Sequence, residues 1–474
     1  MMGCRSRDVV LTCLLIGLLL WSADARTPGG SKESKENKKK STLSKDKAPK
    51  AAKAPMESSG SVPSAATPEA SPNTPEASPA TPEASPVTPG TADPQGTLFD
   101  VTKHGAVGDG KTDNNKAFAA AWAAVCKSSS TGPSTFLVPR GDFLLSPIIF
   151  AGPCSDKALS PSVIIRGKLI ASTSDSSASK SWITFQNLGQ LHVSGAGTGS
   201  LDGKGETAWA NACRHSANKQ CSLPPANLKL EGITGGSLND IISVNSQGFH
   251  FHISNSKDFN IHDFKINAPG FSPNTDGLHI SNSASVSITN AEIGTGDDCV
   301  SIGAGTSNIS VTNVICGPGH GISVGSLGKY PNEKEVNGLL VKNCTLASTT
   351  NGVRIKTWPG SPDNTVTNVR FEDITLTNVS NPIIINQNYC DKKACESTPS
   401  RVKLTDIHFK NIKGTTFGKT GVTLTCSKGV PCEKVELVDI DLKPSTAAGD
   451  LASTCENVNG VTTTGVLNPK PPCA

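Results

Sequence analysis

Aromatic residues make up only 4% of this 474-residue chain and charged residues only 18%. So few rings, set against 45 glycines, disfavour a helical bundle and suit a turn-rich β protein with aliphatic interior stacks. The formal net charge is only +4, and the one conspicuous basic run, Lys32 to Lys53, precedes the part expected to fold. Charge therefore gives no reason to expect nucleic acid as a partner, while a polyanionic substrate is permitted. Beyond Ala25 no stretch is apolar enough to cross a membrane. Paired CxxC units are missing, so no zinc site is expected. The Gly/Asp-rich turn Gly105–Asp113 lacks the acidic ligand series of a calcium loop. From these residues no metal site is expected.

What is present begins with a leader. Arg5 and Arg7, the apolar run Val9–Leu20 and the small residues Ala23-Asp24-Ala25 have the layout of a secretory signal over residues 1–25. A secreted, extracellular protein is the corresponding expectation. Residues 26–96 combine the lysine run with three copies of Thr-Pro-Glu-Ala-Ser-Pro, from Thr67, Thr74 and Thr81. Proline fixes φ and removes donors, so this segment reads as an extended spacer or stalk outside any core. Residues 97–474 read as one folded domain, acting as a monomer.

Of fifteen cysteines, Cys4 and Cys13 fall in the leader, which leaves thirteen. An oxidising compartment favours pairing. Cys213/Cys221, Cys390/Cys395, Cys426/Cys432 and Cys455/Cys473 are close enough to clip loops, and Cys299/Cys316 to join adjacent turns of chain. Thirteen is odd, and Cys344, inside a strand-like run, is the expected buried thiol.

The organising stretch is Asn274 to Lys356. It holds Asn274-Thr275-Asp276-Gly277, Gly296-Asp297-Asp298, Gly319-His320-Gly321 and Arg354-Ile355-Lys356. The steps from Asp276 to Asp297 and from Asp298 to His320 are nearly equal, each of roughly 22 residues. Short β-branched runs lie between, including Leu278–Ser281, Val300–Ile302 and Ile322–Val324, broken by Gly, Asn and Ser. Such a recurrence marks a parallel β-solenoid, in which residues one period apart sit on neighbouring strands roughly 4.8 Å apart. Similar runs extend from Phe136 to Leu442, with a polar insertion around Asn211–Lys229. Asn255, Asn260, Asn267, Asn282, Asn290 and Asn313 fall at expected turns, where Asn tolerates left-handed backbone. Asp113 is a fair cap for a helix over about Asn114–Lys127, whose Phe118, Trp122 and Val125 would close the open end of the solenoid. Asn308, Asn343 and Asn378 head glycosylation sequons.

Any one of these aspartates taken alone is more often a turn former. Together at solenoid period, Asp276, Asp297 and Asp298 supply the acid and the base that glycoside hydrolysis requires. Crowded like charges raise the proton affinity of at least one of them. Successive residues on a regular strand point to opposite faces, so Asp297 and Asp298 share a cleft only if the backbone bends, which Gly296 would permit. His320 lies between two glycines whose bare backbones would let a sugar approach. Arg354 and Lys356 project from one strand face, and two cations beside three acids suit an acidic sugar; simple neutralisation of the aspartates is the other reading. Tyr389, one of two tyrosines, stands at a strand end where it would contact a sugar ring.

At these residues the chain resembles the plant polygalacturonases of glycoside hydrolase family 28, which cleave the α-1,4-galacturonan backbone of pectin. Four family motifs, NTDG, GDD, GHG and RIK, stand complete and in order at Asn274–Gly277, Gly296–Asp298, Gly319–Gly321 and Arg354–Lys356. The resemblance covers about Leu98 to Cys473. It implies an all-β fold, a right-handed parallel β-helix with the one N-terminal capping helix, and hydrolysis with inversion. Asp297 would then donate the proton, Asp276 and Asp298 activate water, and His320 support them, with Arg354, Lys356 and Tyr389 binding substrate. Ile242–His252 and Gly317–Tyr330 are most similar to the exo-acting pollen group. One departure is Asn386, where related plant enzymes often carry Asp. An endo-acting polygalacturonase, a calcium-dependent pectate lyase on the same kind of solenoid, and a non-catalytic wall protein are the rival readings.

Overall fold

Short aliphatic runs, in many places alternating with polar residues and restarted after Gly- or Asn-marked turns, drive the chain into strands that bury one face. The computed structural model describes residues 96–128, 132–155, 159–173, 180–210, 224–390, 396–446 and 449–474. The leader, the lysine run, the proline repeats, Cys213, Cys221 and Cys395 lie outside the described residues. All pairings between named strands are parallel. One sheet of eleven strands runs from Ile148–Ala151 through Leu278–Ser281, Val300–Ile302, Ile322–Leu327 and Asn351–Thr357 to Ala452–Glu456. The other sheet, of eighteen strands, includes the long strands from Lys257–Asn267 to Val458–Asn468. This is a parallel β-helix, in which every coil adds one strand to each wall.

The inner face is a set of stacked ladders. Leu278, Val300, Ile322, Val353 and Ile383 are consecutive register partners on the smaller sheet, and all are fully buried. Ile288, Val311, Val341, Phe371, Phe409 and Leu437 form a matching ladder on the larger sheet, with Phe371 and Phe409 stacked at 5.3 Å. Each such side chain stabilises the fold by about 1.5–3 kcal/mol through burial. Asn115–Lys127 is the capping helix, starting just after the expected Asn114. Asp113 nonetheless accepts a hydrogen bond from the Asn115 N–H at 2.9 Å. Phe118 and Trp122 pack edge-on against Phe136, at 6.0 and 5.8 Å, and so seal that end of the core.

Several details differ from the sequence expectations. The short, even interval runs from Leu278 to Val300 to Ile322, but the next stacked partners, Val353 and then Ile383, follow at longer steps. Loops inserted after the strands absorb the difference. Lys229 belongs to a strand, Ala226–Glu231, rather than to the polar insertion. Asn255, Asn282, Asn290 and Asn313 have positive φ, whereas Asn260 and Asn267 lie within Lys257–Asn267 in ordinary strand backbone. A turn ladder does form, since Asn343 Nδ2 donates to Asn313 at 2.7 Å and Asn313 to Asn290 at 3.2 Å. Cys299–Cys316, Cys426–Cys432 and Cys455–Cys473 are disulfides, and Cys344 is a buried free thiol. Cys126–Cys154 is a bridge that spacing alone did not single out. No described helix is long and apolar enough to cross a membrane.

Candidate active site

The site lies on the outward face of the smaller sheet. There the register aligns Lys229, His252, His279, Ser301, Ser323 and Arg354 as one row across six strands. Asp276, Asp298 and His320 each stand two residues before the inward ladder of Leu278, Val300 and Ile322, at equivalent points of successive coils and ahead of the regular strands, so strand alternation does not send them into the core. Asp297 and Asp298 lie in a bend between strands, which frees both side chains for the cleft. The reason for Gly296 differs from the expected one. Its φ is ordinary, but a Cβ there would sit 2.0 Å from the Ser272 carbonyl oxygen. Gly321 likewise makes room for protein, since its φ is +86° and a Cβ would meet the Asn351 oxygen at 2.2 Å. Bare backbone here packs coils together rather than admitting a sugar.

The predicted residues converge. Asp298, 1% exposed, accepts from Lys356 Nζ on one oxygen and from Arg354 Nη2 and Ser323 Oγ on the other, each at 2.8 Å. Asp297 Oδ1 accepts from the Asp298 N–H at 2.9 Å and lies 2.9 Å from His320 Nδ1. Asp276 accepts from Ser301 Oγ at 2.7 Å, and His279 Nδ1 lies 2.8 Å behind that hydroxyl. Tyr389 offers its ring to Lys356 Nζ at 5.3 Å and meets Trp358 edge-on at 5.4 Å. Asn386 pairs with Lys356 across the sheet and caps the following turn by accepting from the Asn388 N–H.

Burial divides the two inner aspartates. Asp276 is raised well above the usual carboxylate range, by burial first and then by the charges of Asp297 and Asp298. Burial also pushes Asp298 upward, but Lys356 and Arg354, with hydrogen bonds from Lys356 and Ser323, outweigh it and hold the carboxyl low. Burial and neighbouring charge thus push the two buried carboxyls in opposite directions. Asp297, Asp298 and His320 bring three potential ligand atoms within 4.8 Å of one another. Both oxygens of Asp298 are already committed to protein cations, so this donor set suits internal ion pairing better than a divalent ion.

Sequence reasoning missed Ser301, Ser323, His279 and Trp358. The two serines are register partners, and each follows Asp298 or His320 by three residues. Their recurrence at the same period as the acids was the available signal, since a small polar residue at an outward position beside each acid is what a supporting hydrogen bond requires.

A parallel β-helix carrying paired carboxylates, an imidazole and two cations on one sheet face defines a polysaccharide hydrolase of the carboxylate-pair type. The profile of glycosyl hydrolases family 28 matches residues 126–465, and the chain belongs to that family. An exopolygalacturonase of Arabidopsis thaliana is 46% identical over 77% of this chain and 85% of its own length. An exopolygalacturonase of Platanus acerifolia is 44% identical over 77% of this chain and 94% of its own. Among solved structures, the exopolygalacturonase of Thermotoga maritima covers 78% of this chain and 92% of its own, with TM-score 0.61 at 18% identity. The endo-xylogalacturonan hydrolase of Aspergillus tubingensis reaches TM-score 0.67 at 25% identity, over 78% and 100%. The fold is therefore the right-handed parallel β-helix expected from the motifs.

Proposed function

We propose that the protein is an exo-acting polygalacturonase that hydrolyses α-1,4-galacturonosidic bonds of pectin with inversion. The observation that carries this reading is the pair of cations, Arg354 and Lys356, set beside three aspartates in one cleft. Each cation spends one donor on Asp298, and a uronate would take donors that remain, three N–H on a lysine and five on an arginine being more than one carboxylate uses. Asp297 protonates the leaving glycosidic oxygen, with His320 orienting it from 2.9 Å. Asp298 draws a proton from the attacking water, and Asp276 hydrogen-bonds that water from the neighbouring coil. Arg354, Lys356 and Tyr389 hold the sugar acid. The names of the plant relatives support exo action, and the signal-like leader supports secretion to the wall, where the enzyme acts as a monomer without metal or cofactor.

Product analysis on polygalacturonate tests this. Galacturonate alone is expected from the first minutes, with the β-anomer formed first from the α-linkage as seen by NMR. A ladder of oligomers would make the enzyme endo-acting, and an unsaturated, chelator-sensitive product would make it a lyase.

A further inference from the structure

The compact spacing that brings the acids together ends at Ile322, whose partner Val353 lies well beyond one such step along the chain. The added length forms a loop, residues 328–335 after Ile322–Leu327, and the next step, from Val353 to Ile383, carries a second, residues 358–363 after Asn351–Thr357. They meet around a cavity of about 460 Å³ lined by Lys329, Pro331, Trp358, Glu396 and Arg401 among others. Lys329 is exposed, and its Nζ lies 4.9 Å from the Trp358 ring and 5.8 Å from that of Tyr330. Trp358 meets Tyr389, and Tyr389 carries Lys356. Two ammonium groups therefore end one aromatic relay that leads out of the site. Their situations differ. Lys356 is tied to Asp298, while Lys329 has no carboxylate partner among the described residues.

The neighbouring charges are otherwise engaged. Arg401 is held by Asp363, and Glu396 makes no ion pair with Lys329. Glu333 uses both carboxylate oxygens on backbone, accepting from the N–H groups of Gly328, Lys329 and Tyr330 at 2.7, 3.0 and 2.9 Å. That clamp fixes the loop without cancelling the ammonium. A cation over an indole face is attracted by the ring quadrupole yet keeps its full charge for an anion. We propose that Lys329, held over Trp358 on the clamped loop, is a second carboxylate-binding position, taking the uronate of a sugar further along the chain than the one at Arg354 and Lys356. The 62% exposed Tyr330 ring offers that sugar an apolar face. Because the loop is already ordered, little conformational freedom is lost on binding. The position adds to the galacturonan reading above and rests on it.

The test is the chain-length dependence of hydrolysis. For Lys329→Met, kcat/KM on long oligogalacturonides should fall about fivefold, the worth of one partly exposed ion pair, mainly through KM. The loss on digalacturonate should be clearly smaller, and added salt should shrink the difference. Lys329→Arg should restore efficiency on the long chains. Glu333→Gln, with the lysine intact but the clamp weakened, should reproduce part of the long-chain loss. An equal loss at every chain length, or none, would overturn the proposal. A wild-type enzyme that cleaves xylan but no galacturonan would instead sink the substrate reading, so the two failures are distinct.

Discussion

The two ends of the outward row receive the same burial and respond in opposite ways. Towards the N-terminus, His252 and His279 are pushed down to about 3 and about 4, mainly by burial, and face each other at 5.3 Å beside Phe249. Beyond Lys229, which is ion-paired with Glu231, that part of the row is neutral and aromatic. Towards the C-terminus, Arg354 and Lys356 are also largely buried but meet Asp298, and the three form a compact ionised group. Strand register supplies the proximity at both ends; whether a charge survives depends on a counter-charge in the next coil. Ser301 connects the neutral end to Asp276, and Ser323 connects the charged end to Asp298. Asp276 and Asp298 are thus pushed in opposite directions by different neighbours.

The largest effect is expected where the two ends meet. Asp297→Asn keeps the side-chain shape and the contact with His320 but cannot donate a proton, so kcat on polygalacturonate should fall by about 10²–10⁴. Unfolding temperature should change little, and near-normal turnover would remove Asp297 from the acid role. Lys356→Met attacks the charged end alone. It leaves Asp298 buried with half its compensation, which costs about 3–5 kcal/mol in comparable pairs. With that cation gone, burial dominates Asp298, so the acid limb of the pH profile should move upward. Denaturant melts and a pH–rate series would check both.

The neutral end should show itself in stability. His250, fully buried behind the row, is lowered to about 3 by burial, with Ser243 Oγ 2.8 Å from its Nδ1. A base whose folded pKa lies below its unfolded value takes up its proton more readily when unfolded. Stability is therefore intact above about pH 6.5 and is lost as pH falls towards the folded value. Relative to His250→Asn, the wild type should lose about 3 kcal/mol between pH 6.5 and 4. Asp276, raised in the fold, works in the opposite direction over this range, but it is common to both proteins and cancels. A flat difference would mean that His250 is reached by water.

How far these features were legible follows from their physics. The solenoid and its acids were readable because an even period and charge are properties of the chain itself, and Asp276, Asp297, Asp298, His320, Arg354 and Lys356 all reach one cleft. Longer coils hid the rest. Once the step from Ile322 to Val353 exceeds that period, spacing no longer says that Lys329 and Trp358 meet, because loop closure depends on the Glu333 clamp. Which aspartate is raised and which is held low was equally out of reach, since identical aspartates differ only through burial and the partners that folding supplies. Gly296 and Gly321 were read as making room for bends and sugar, when close backbone from adjoining coils is what requires them.

The smallest effects distinguish the two serines. Ser301 Oγ is the hydroxyl that meets Asp276, whereas Asp298 retains Lys356 and Arg354 when Ser323 is lost. Leaving a buried hydrogen-bonding group without its partner costs about 1–3 kcal/mol. Ser301→Ala should therefore lower kcat about tenfold. It should also shift the pH profile, because the link from Asp276 to His279 is cut. Ser323→Ala, buffered by two cations, should lose less and keep the profile in place. If the two variants behave alike, the ends of the row are not electrically distinct, and the contrast between a neutral and an ionised half is wrong.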